Sequence, residues 1–168
     1  MIDKSKYLMR MGKVGIRQCT AKEAAEIFPF LRQADIDEIK ALGLSATKEA
    51  LRDRLKNVKH LYIIEEFQDD FYGLLPIGIF GVAKTESPKI GAIFLQGSGR
   101  IAKNITAVGA LMNAMFYLWR RHYSVLFNNV WIGNKTHINW LKKVGFELFE
   151  EVEHTGTGEK FIPFKREI

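Results

Sequence analysis

Cysteine and long apolar runs are almost missing from this chain of 168 residues, and each shortage argues against a class of protein. The single cysteine, Cys19, has no partner for an internal disulfide, which fits a reducing cytoplasm. We interpret it as a small hydrophobic side chain rather than a nucleophile. No apolar run approaches the roughly 20 residues that span a bilayer, and we find no apolar segment typical of a signal peptide. The sequence therefore predicts no membrane partner.

Motifs for metal binding and for nucleophilic catalysis are also missing. The 4 histidines stand apart, without the HxH or HExxH spacing that brings two imidazoles to one metal ion, and no cysteine pair exists. Neither a GxSxG motif nor a P-loop occurs in the sequence. We therefore predict no metal site, no serine hydrolase and no P-loop nucleotidase.

The charge of the chain is unbalanced, with a formal net charge of +6 at pH 7. Such a charge is compatible with a nucleic-acid partner or another polyanion. The basic residues are scattered, however, and acidic residues lie between them, so that no basic stripe or stacking aromatic motif forms. This pattern favours a solvated basic surface over a nucleic-acid partner, with a phosphate-bearing ligand as the second interpretation.

The rest of the composition is that of an ordinary globular protein, with 47% apolar and 12% aromatic residues. The length suits one well-packed domain and is short for two. Residues 1–12 are polar and rich in methionine, so we predict a loose lead-in there. A single domain is expected to follow over residues 13–168.

Strand and helix patterns alternate along the predicted domain. The predicted strands cover residues 14–18, 60–66, 74–83, 90–95, 125–132, 147–152 and 160–165. The predicted helices begin near residues 20, 45, 103 and 134. Thr20 and Glu23 form a capping-box pattern, and Pro29 is expected to disturb the helix that follows. The resulting order, β-α-α-β-β-β-α-β-α-β-β, predicts an α/β domain with a mixed, mostly antiparallel sheet flanked by helices.

Residues 128–146, with the sequence NNVWIGNKTHINWLKKVGF, form the most informative segment. A β-branched and aromatic strand leads into Asn134, which can cap a short helix, and Gly145 ends that helix before a new strand begins at Phe146. This segment and the element order resemble the GCN5-related N-acetyltransferases (GNATs), whose last motif is N-x-x-A-x-x-L-Y-x-K-x-G-F. Four residues match that motif: Asn134, Lys143, Gly145 and Phe146. Three replace its alanine, leucine and tyrosine: His137, Trp140 and Leu141.

A narrower resemblance covers about 150 residues and concerns proteins of tailed bacteriophages. Blocks such as IRQCT, LRQADIDEIKALG, IGIFGVA and GEKFIPF are similar to a family that includes the small internal virion protein of short-tailed coliphages. The resemblance implies a phage origin, a GNAT-like fold, and a location in the host cytoplasm or in the virion.

The resemblance to GNATs also implies a site for acetyl-CoA at the junction QGSGRIAKN. In that family a Gly-rich turn presents backbone N–H groups to the pyrophosphate at a helix N-terminus. Here this implies contacts from residues of the turn, of the next helix and of the last motif: Gly97, Ser98, Gly99, Arg100, Lys103, Asn104 and Asn134. The alternative is a flexible turn with solvated cations, because neither possible alignment of the family pattern has both of its small residues.

Catalysis by this family needs a base that takes a proton from the attacking ammonium. The strands over residues 90–95 and 125–132 contain no acid, and Leu141 stands where the family has tyrosine. The remaining candidates are Asp37 and Glu38, beside Asp35, and His137. The alternatives are a solvated helix face for the acidic residues and a structural role for the histidine.

Two polar residues, Asn128 and Asn129, interrupt the otherwise apolar strand that precedes the last motif. In GNATs the two central strands splay apart, and their unpaired backbone groups hold the pantetheine arm. The asparagine pair therefore either holds that gap or marks an edge or a bulge.

Two functions follow from the resemblance. The first is transfer of an acetyl group from acetyl-CoA to an amine substrate. The second is a degenerate GNAT fold that acts by binding, as an internal virion component or on a host protein.

Overall fold

The computed structural model describes residues 4–68 and 73–168 of the chain. Its strands are β1 Met9–Met11, β2 Val14–Gln18, β3 His60–Phe67, β4 Leu74–Lys84, β5 Ile90–Gly97, β6 Val125–Trp131, β7 Glu147–Leu148, β8 Val152–Glu153 and β9 Lys160–Glu167. Its helices are α1 Ala21–Ala25, α2 Gln33–Ala41, α3 Lys48–Leu55, α4 Arg100–Lys103, α5 Ile105–Trp119 and α6 Lys135–Lys143. Within these ranges, no helix is long and apolar enough to cross a membrane.

The strands form one 9-stranded sheet in the order β1-β2-β3-β4-β5-β6-β9-β7, with β8 pairing to β9. Neighbouring strands run antiparallel except β5 and β6, which pair in parallel. The predicted mixed, mostly antiparallel sheet is therefore confirmed.

Helices cover both faces of the sheet. On β4, Ile79 and Phe80 are adjacent and so point to opposite faces. Phe80 belongs to a cluster that contains buried residues of α5 and α6, whereas Ile79 packs with buried residues of α1 and α3. Two hydrophobic layers therefore enclose the central strands of the sheet.

Local capping follows the predicted pattern. The Glu23 N–H donates to Thr20 Oγ1 over 3.2 Å, and the Thr20 N–H donates to the Glu23 carboxylate over 2.9 Å. Thr47 caps α3 through its side-chain oxygen, which accepts from the Ala50 N–H. Gly145, which follows α6, has a φ of +84°, a conformation that favours glycine.

The prediction of a loose lead-in over residues 1–12 is wrong for its later part. Residues 9–11 form β1, which pairs with β2 at the edge of the sheet. The Tyr7 hydroxyl donates to Glu65 over 2.6 Å, and its ring packs against Phe67. A three-residue edge strand is too short to display an alternating pattern, which explains why the sequence does not reveal it.

Two predicted helices and one predicted strand are divided. The first helix ends at Ala25, and α2 begins only at Gln33, after a 3-10 turn that contains Pro29. The predicted helix that begins near residue 103 is divided into α4 and α5 at Asn104. The predicted strand over residues 147–152 is divided into β7 and β8, both of which pair with β9.

The pairing of β5 with β6 stops after three residue pairs, from Ile90↔Val125 to Ala92↔Phe127. At the next position the Asn128 amide enters between the strands. Its Nδ2 donates to the Ile93 carbonyl over 2.7 Å, and its Oδ1 accepts from the Asn129 N–H over 2.8 Å. The side chain thus satisfies both backbone groups that a continued ladder would pair, and the strands separate beyond it.

The close packing around Gly91 of β5 can be tested by substitution. A Cβ on Gly91 would lie 2.3 Å from Val82 Cγ1 and 3.1 Å from the Tyr123 ring. We therefore expect Gly91→Ala to lower the free energy of unfolding by about 1–3 kcal/mol in urea titrations.

The matched control is Gly109→Ala in α5, where a Cβ meets nothing within 4 Å. It should raise the free energy of unfolding by about 0.5–1 kcal/mol, because alanine suits a helix better than glycine. Equal effects of the two substitutions would contradict the packing described for β5.

Candidate functional site

A free strand edge lies in the gap between β5 and β6. The Ser98 N–H donates to Ile77 of β4, so by alternation the backbone groups of Leu95 and Gly97 face the other way, toward β6. The Gly97 N–H and carbonyl are bonded there to α2, through the Asp35 carboxylate and the Arg32 N–H, each over 3.0 Å. Across this gap, the described residues supply no hydrogen bond to the N–H or carbonyl of Leu95.

A cavity of about 310 Å³ opens beside this edge, between α4, α5 and α6. Its wall is largely apolar, with cationic groups from Arg32 and Lys143. The lining residues are Arg32, Leu95, Ile101, Ala102, Ile105, Thr136, His137, Asn139, Trp140 and Lys143. A smaller apolar recess on the same side is shared by Leu95, His137 and Trp140. The cavity can therefore take an elongated ligand that carries both apolar and anionic parts.

Two buried polar atoms on the cavity wall have no partner. His137 Nδ1 and Trp140 Nε1 are both buried, and neither forms a hydrogen bond within the described part of the chain. Burial lowers the pKa of His137 to about 4, so the ring is neutral at pH 7. Buried polar groups are normally satisfied, so these two atoms suit a ligand that supplies hydrogen bonds.

Helix α2 contributes a buried carboxylate, which closes the gap at the end beside Gly97. Asp35 is 2% exposed, and Arg32 binds it through two hydrogen bonds of 2.8 and 3.0 Å. The same carboxylate accepts from the Gly97 N–H and from Asn134 Nδ2. One side chain therefore joins α2 to the end of β5 and to the start of α6.

Glu38 lies one turn further along α2 and is the candidate base that the geometry favours. Its carboxylate accepts from Asn134 Nδ2 over 2.9 Å. Burial raises the pKa of Glu38 to about 7, and the charge of Asp35 acts in the same direction, against the hydrogen bond from Asn134. A carboxyl group with this pKa can take up and release protons near neutral pH.

The other predicted catalytic residue of α2 faces elsewhere. The Asp37 carboxylate accepts a hydrogen bond from the Gln33 amide on the exposed side of the helix. His137 lines the cavity, and its N–H is bonded to Asn134 Oδ1, so Asn134 is the helix cap that the sequence predicts. Glu38, Asn134 and His137 are thus brought together, while Asp37 points away.

The predicted phosphate-binding turn is largely occupied by contacts within the protein. The N–H groups of Gly97 and Ser98 donate to Asp35 and to Ile77. Arg100 forms two hydrogen bonds with Glu66, of 2.6 and 3.1 Å. Asn104 donates to the Arg100 carbonyl, while Gly99 and Lys103 are exposed. A role for these residues in binding phosphate stays a prediction.

Sequence reasoning missed two main features of the site. Arg32 was not singled out, although its spacing of three residues from Asp35 on a helix permits the pair. In the sequence, Trp140 is a departure from the family motif. In the structure it lines the cavity, and its ring nitrogen is buried without a partner among the described residues. Cys19 packs against the cluster that contains Ile79 and buried residues of α1 and α3. Burial raises the pKa of its thiol to about 12, which agrees with the predicted role as a small hydrophobic side chain.

Comparisons of structure establish the fold. Ard1 from Thermoplasma volcanium is 16% identical, with a TM-score of 0.70 over 94% of this chain and 99% of that one. A GNAT-family acetyltransferase from Streptococcus pneumoniae is 18% identical, with a TM-score of 0.62 over 92% and 99%. RimL, a ribosomal L7/L12 alpha-N-protein acetyltransferase in complex with coenzyme A, is 13% identical, with a TM-score of 0.63 over 96% and 98%.

The chain therefore has the GNAT fold. No family model matches its sequence, and no curated protein matches it either. At identities this low the likeness concerns the fold alone, so the activity has to be argued from the site.

The raised pKa of Glu38 makes stability depend on pH. The folded group, with a pKa of about 7 against an ordinary 4.5, binds its proton more tightly than the unfolded group. Its contribution is therefore fully present below pH 4.5 and is lost as the pH rises through 7. Relative to the unsubstituted chain, we expect Glu38→Gln to gain about 1–3 kcal/mol of stability between pH 4 and pH 8. Urea unfolding at both pH values measures this, and an unchanged difference would contradict the assignment.

Proposed function

We propose that the chain is an N-acyltransferase that moves an acetyl group from acetyl-CoA to an amine. The observation that carries this proposal is the unpaired Leu95 edge in the gap between β5 and β6, beside a cavity with two unsatisfied buried polar atoms. A strand edge of this kind offers one N–H and one carbonyl to a ligand that contains amide groups. The pantetheine arm of coenzyme A contains such amides.

The residues present fit this ligand. Leu95 would pair with the pantetheine arm, while Asn128 at one end and Asp35 at the other limit the length of the open edge. The cations of Arg32 and Lys143, which line the cavity, would stand near the phosphates. His137 Nδ1 and Trp140 Nε1 would gain the hydrogen-bond partners they lack.

Glu38 acts as the general base in this proposal. When bound, acetyl-CoA supplies an activated acyl group on a thioester. Glu38 takes a proton from the ammonium group of the acceptor, directly or through a water molecule, so that the nitrogen lone pair becomes available. Asn134 holds the carboxylate in place through its 2.9 Å hydrogen bond. His137 is neutral at pH 7, so it adds no positive charge that would lower the pKa of Glu38.

A second candidate is a binding role without turnover, as a virion component or on a host protein of a phage. It is favoured by specific contacts: the N–H groups of Gly97 and Ser98 are already bonded, and Arg100 is paired with Glu66. In addition, Leu141 is a buried core residue and cannot act as an acid for the leaving thiolate. The phage origin and this location rest on the sequence resemblance.

Calorimetric titration with acetyl-CoA distinguishes the two candidates. We expect saturable binding at millimolar ligand or below, with an increase in melting temperature, because a ligand of the native state stabilises it. Ala102→Trp should weaken binding at least tenfold, because Ala102 lines the cavity and is exposed enough to accept a larger side chain without disturbing the core.

The matched control is Ala110→Trp, at an exposed position of α5 outside the cavity, which should bind acetyl-CoA as the unsubstituted chain does. If neither heat nor a thermal shift is seen, the transferase proposal fails and the binding role remains. If both tryptophan variants bind equally well, the ligand lies elsewhere.

Substitution of Glu38 tests the assignment of the base. In an assay of thiol release with polyamines and peptides that carry free amines, Glu38→Gln should lower kcat by about 100-fold or more. The kcat/KM of the unsubstituted enzyme should rise with pH and level off above about 7, the pKa of Glu38. A loss of rate in Asp37→Asn that Glu38→Gln does not share would transfer the role to Asp37.

A further inference from the structure

A second cavity lies at the opposite end of the central strands, where β4 ends and β5 begins. It has a volume of about 430 Å³. Its lining residues are Lys59, His60, Lys84, Thr85, Glu86, Ser87, Pro88, Lys89, Ile90, Arg121, His122 and Tyr123. None of them lines the cavity beside Leu95, so the two cavities are separate.

Four cations from four segments meet around this second cavity. Lys59 precedes β3, Lys84 ends β4, Lys89 precedes β5 and Arg121 follows α5. In the part of the chain that the structure describes, none of the four forms an ion pair. Glu86 is the one acidic residue in the lining. Positive charge is therefore concentrated in a concave surface, which strengthens its attraction for anions.

This arrangement differs from that of three arginines elsewhere in the protein. Arg17, Arg32 and Arg100 each bind a carboxylate within 3.0 Å. The cations of the second cavity gather instead without a matching set of acids, although mutual repulsion opposes such a cluster. An external anion would supply the missing charge.

An aromatic wall adjoins the cations. The rings of His60 and His122 lie 5.2 Å apart, and the ring of Tyr123 meets His60 edge-on at 5.8 Å. Burial lowers the pKa of His60, and His122 and Lys59 lower it further. Both imidazoles therefore lie within reach of the charges that line the cavity.

We propose that this cavity is a binding site for a phosphate-bearing small molecule, held by Lys84, Lys89 and Arg121 next to the imidazoles of His60 and His122. Lysine and arginine are the side chains that bind phosphoryl oxygens, and arginine can do so through two hydrogen bonds. The cavity volume of about 430 Å³ suits a small ligand better than a nucleic-acid strand. The proposal does not depend on the transferase activity.

Titration with inorganic pyrophosphate tests the site. In NMR spectra, amide shifts should map to residues 84–90 and 121–123. Lys84→Ala combined with Arg121→Ala should raise the Kd for pyrophosphate at least tenfold, and because both side chains are exposed the fold should be retained. The control combines Lys22→Ala with Lys142→Ala, which removes the same charge at two exposed positions outside the cavity and should leave the Kd within twofold.

The His60 ring gives a second readout. Bound pyrophosphate should raise the pKa of His60, because its negative charge opposes the effects of His122 and Lys59, which lower this pKa. Lys84, Lys89, Arg121 and Glu86 are the other charged residues that line the cavity. Equal loss of affinity in both double variants, shifts that map elsewhere, or no binding at 10 mM pyrophosphate would overturn the proposal. Tighter binding of a single-stranded decanucleotide at the same residues would assign the surface to nucleic acid and would overturn it too.

Discussion

The side-chain amide of Asn128 ends the parallel pairing of β5 with β6, and the site depends on this event. A continued ladder would bury the edge of β5 and leave no gap. The amide can replace one backbone hydrogen bond between the strands because it contains both a donor and an acceptor. The donor bonds to the Ile93 carbonyl, and the acceptor bonds to the Asn129 N–H. The strands therefore separate without leaving unpaired backbone groups at the branch point, and the first unpaired groups occur at Leu95, beside the cavity. A polar residue in an apolar strand is thus compatible with a stable sheet.

At the other end of the gap, an ion pair and hydrogen bonds hold the buried Asp35 carboxylate in place. A carboxylate that is 2% exposed would be costly without partners, and Asp35 has Arg32, the Gly97 N–H and Asn134 around it. The adjacent Glu38 lies beside this charge. Burial raises the pKa of Glu38 to about 7, and the charge of Asp35 acts in the same direction. Closure of the gap and a carboxyl group that titrates near neutral pH are therefore two results of one cluster.

The sequence predicts those features that depend on local patterns. The capping box at Thr20, the helix that begins after Asn134 and the glycine stop at Gly145 all involve residues within a few positions of one another. Contacts between distant segments are less visible. Asn134 and Asp35 are 99 residues apart in the sequence. The carbonyl that binds Asn128 is 35 residues away, so the local sequence pattern does not decide whether Asn128 holds the gap. Similarly, the four cations of the second cavity look scattered along the chain, because folding brings them together from four segments.

The contacts of Asp35 have a consequence for how two ligands would influence each other. The carboxylate connects α2, the end of β5 and the start of α6 through hydrogen bonds, which couple these elements into one hydrogen-bonded unit. A ligand on α2 that favours one position of this unit alters the width of the gap, and a ligand in the gap alters the position of α2. Thermodynamic linkage makes the two effects equal in free energy. An acceptor bound near Glu38 and an acyl donor bound along Leu95 would therefore change each other's affinity by the same factor, and the protein would favour their simultaneous occupancy or oppose it through a single carboxylate.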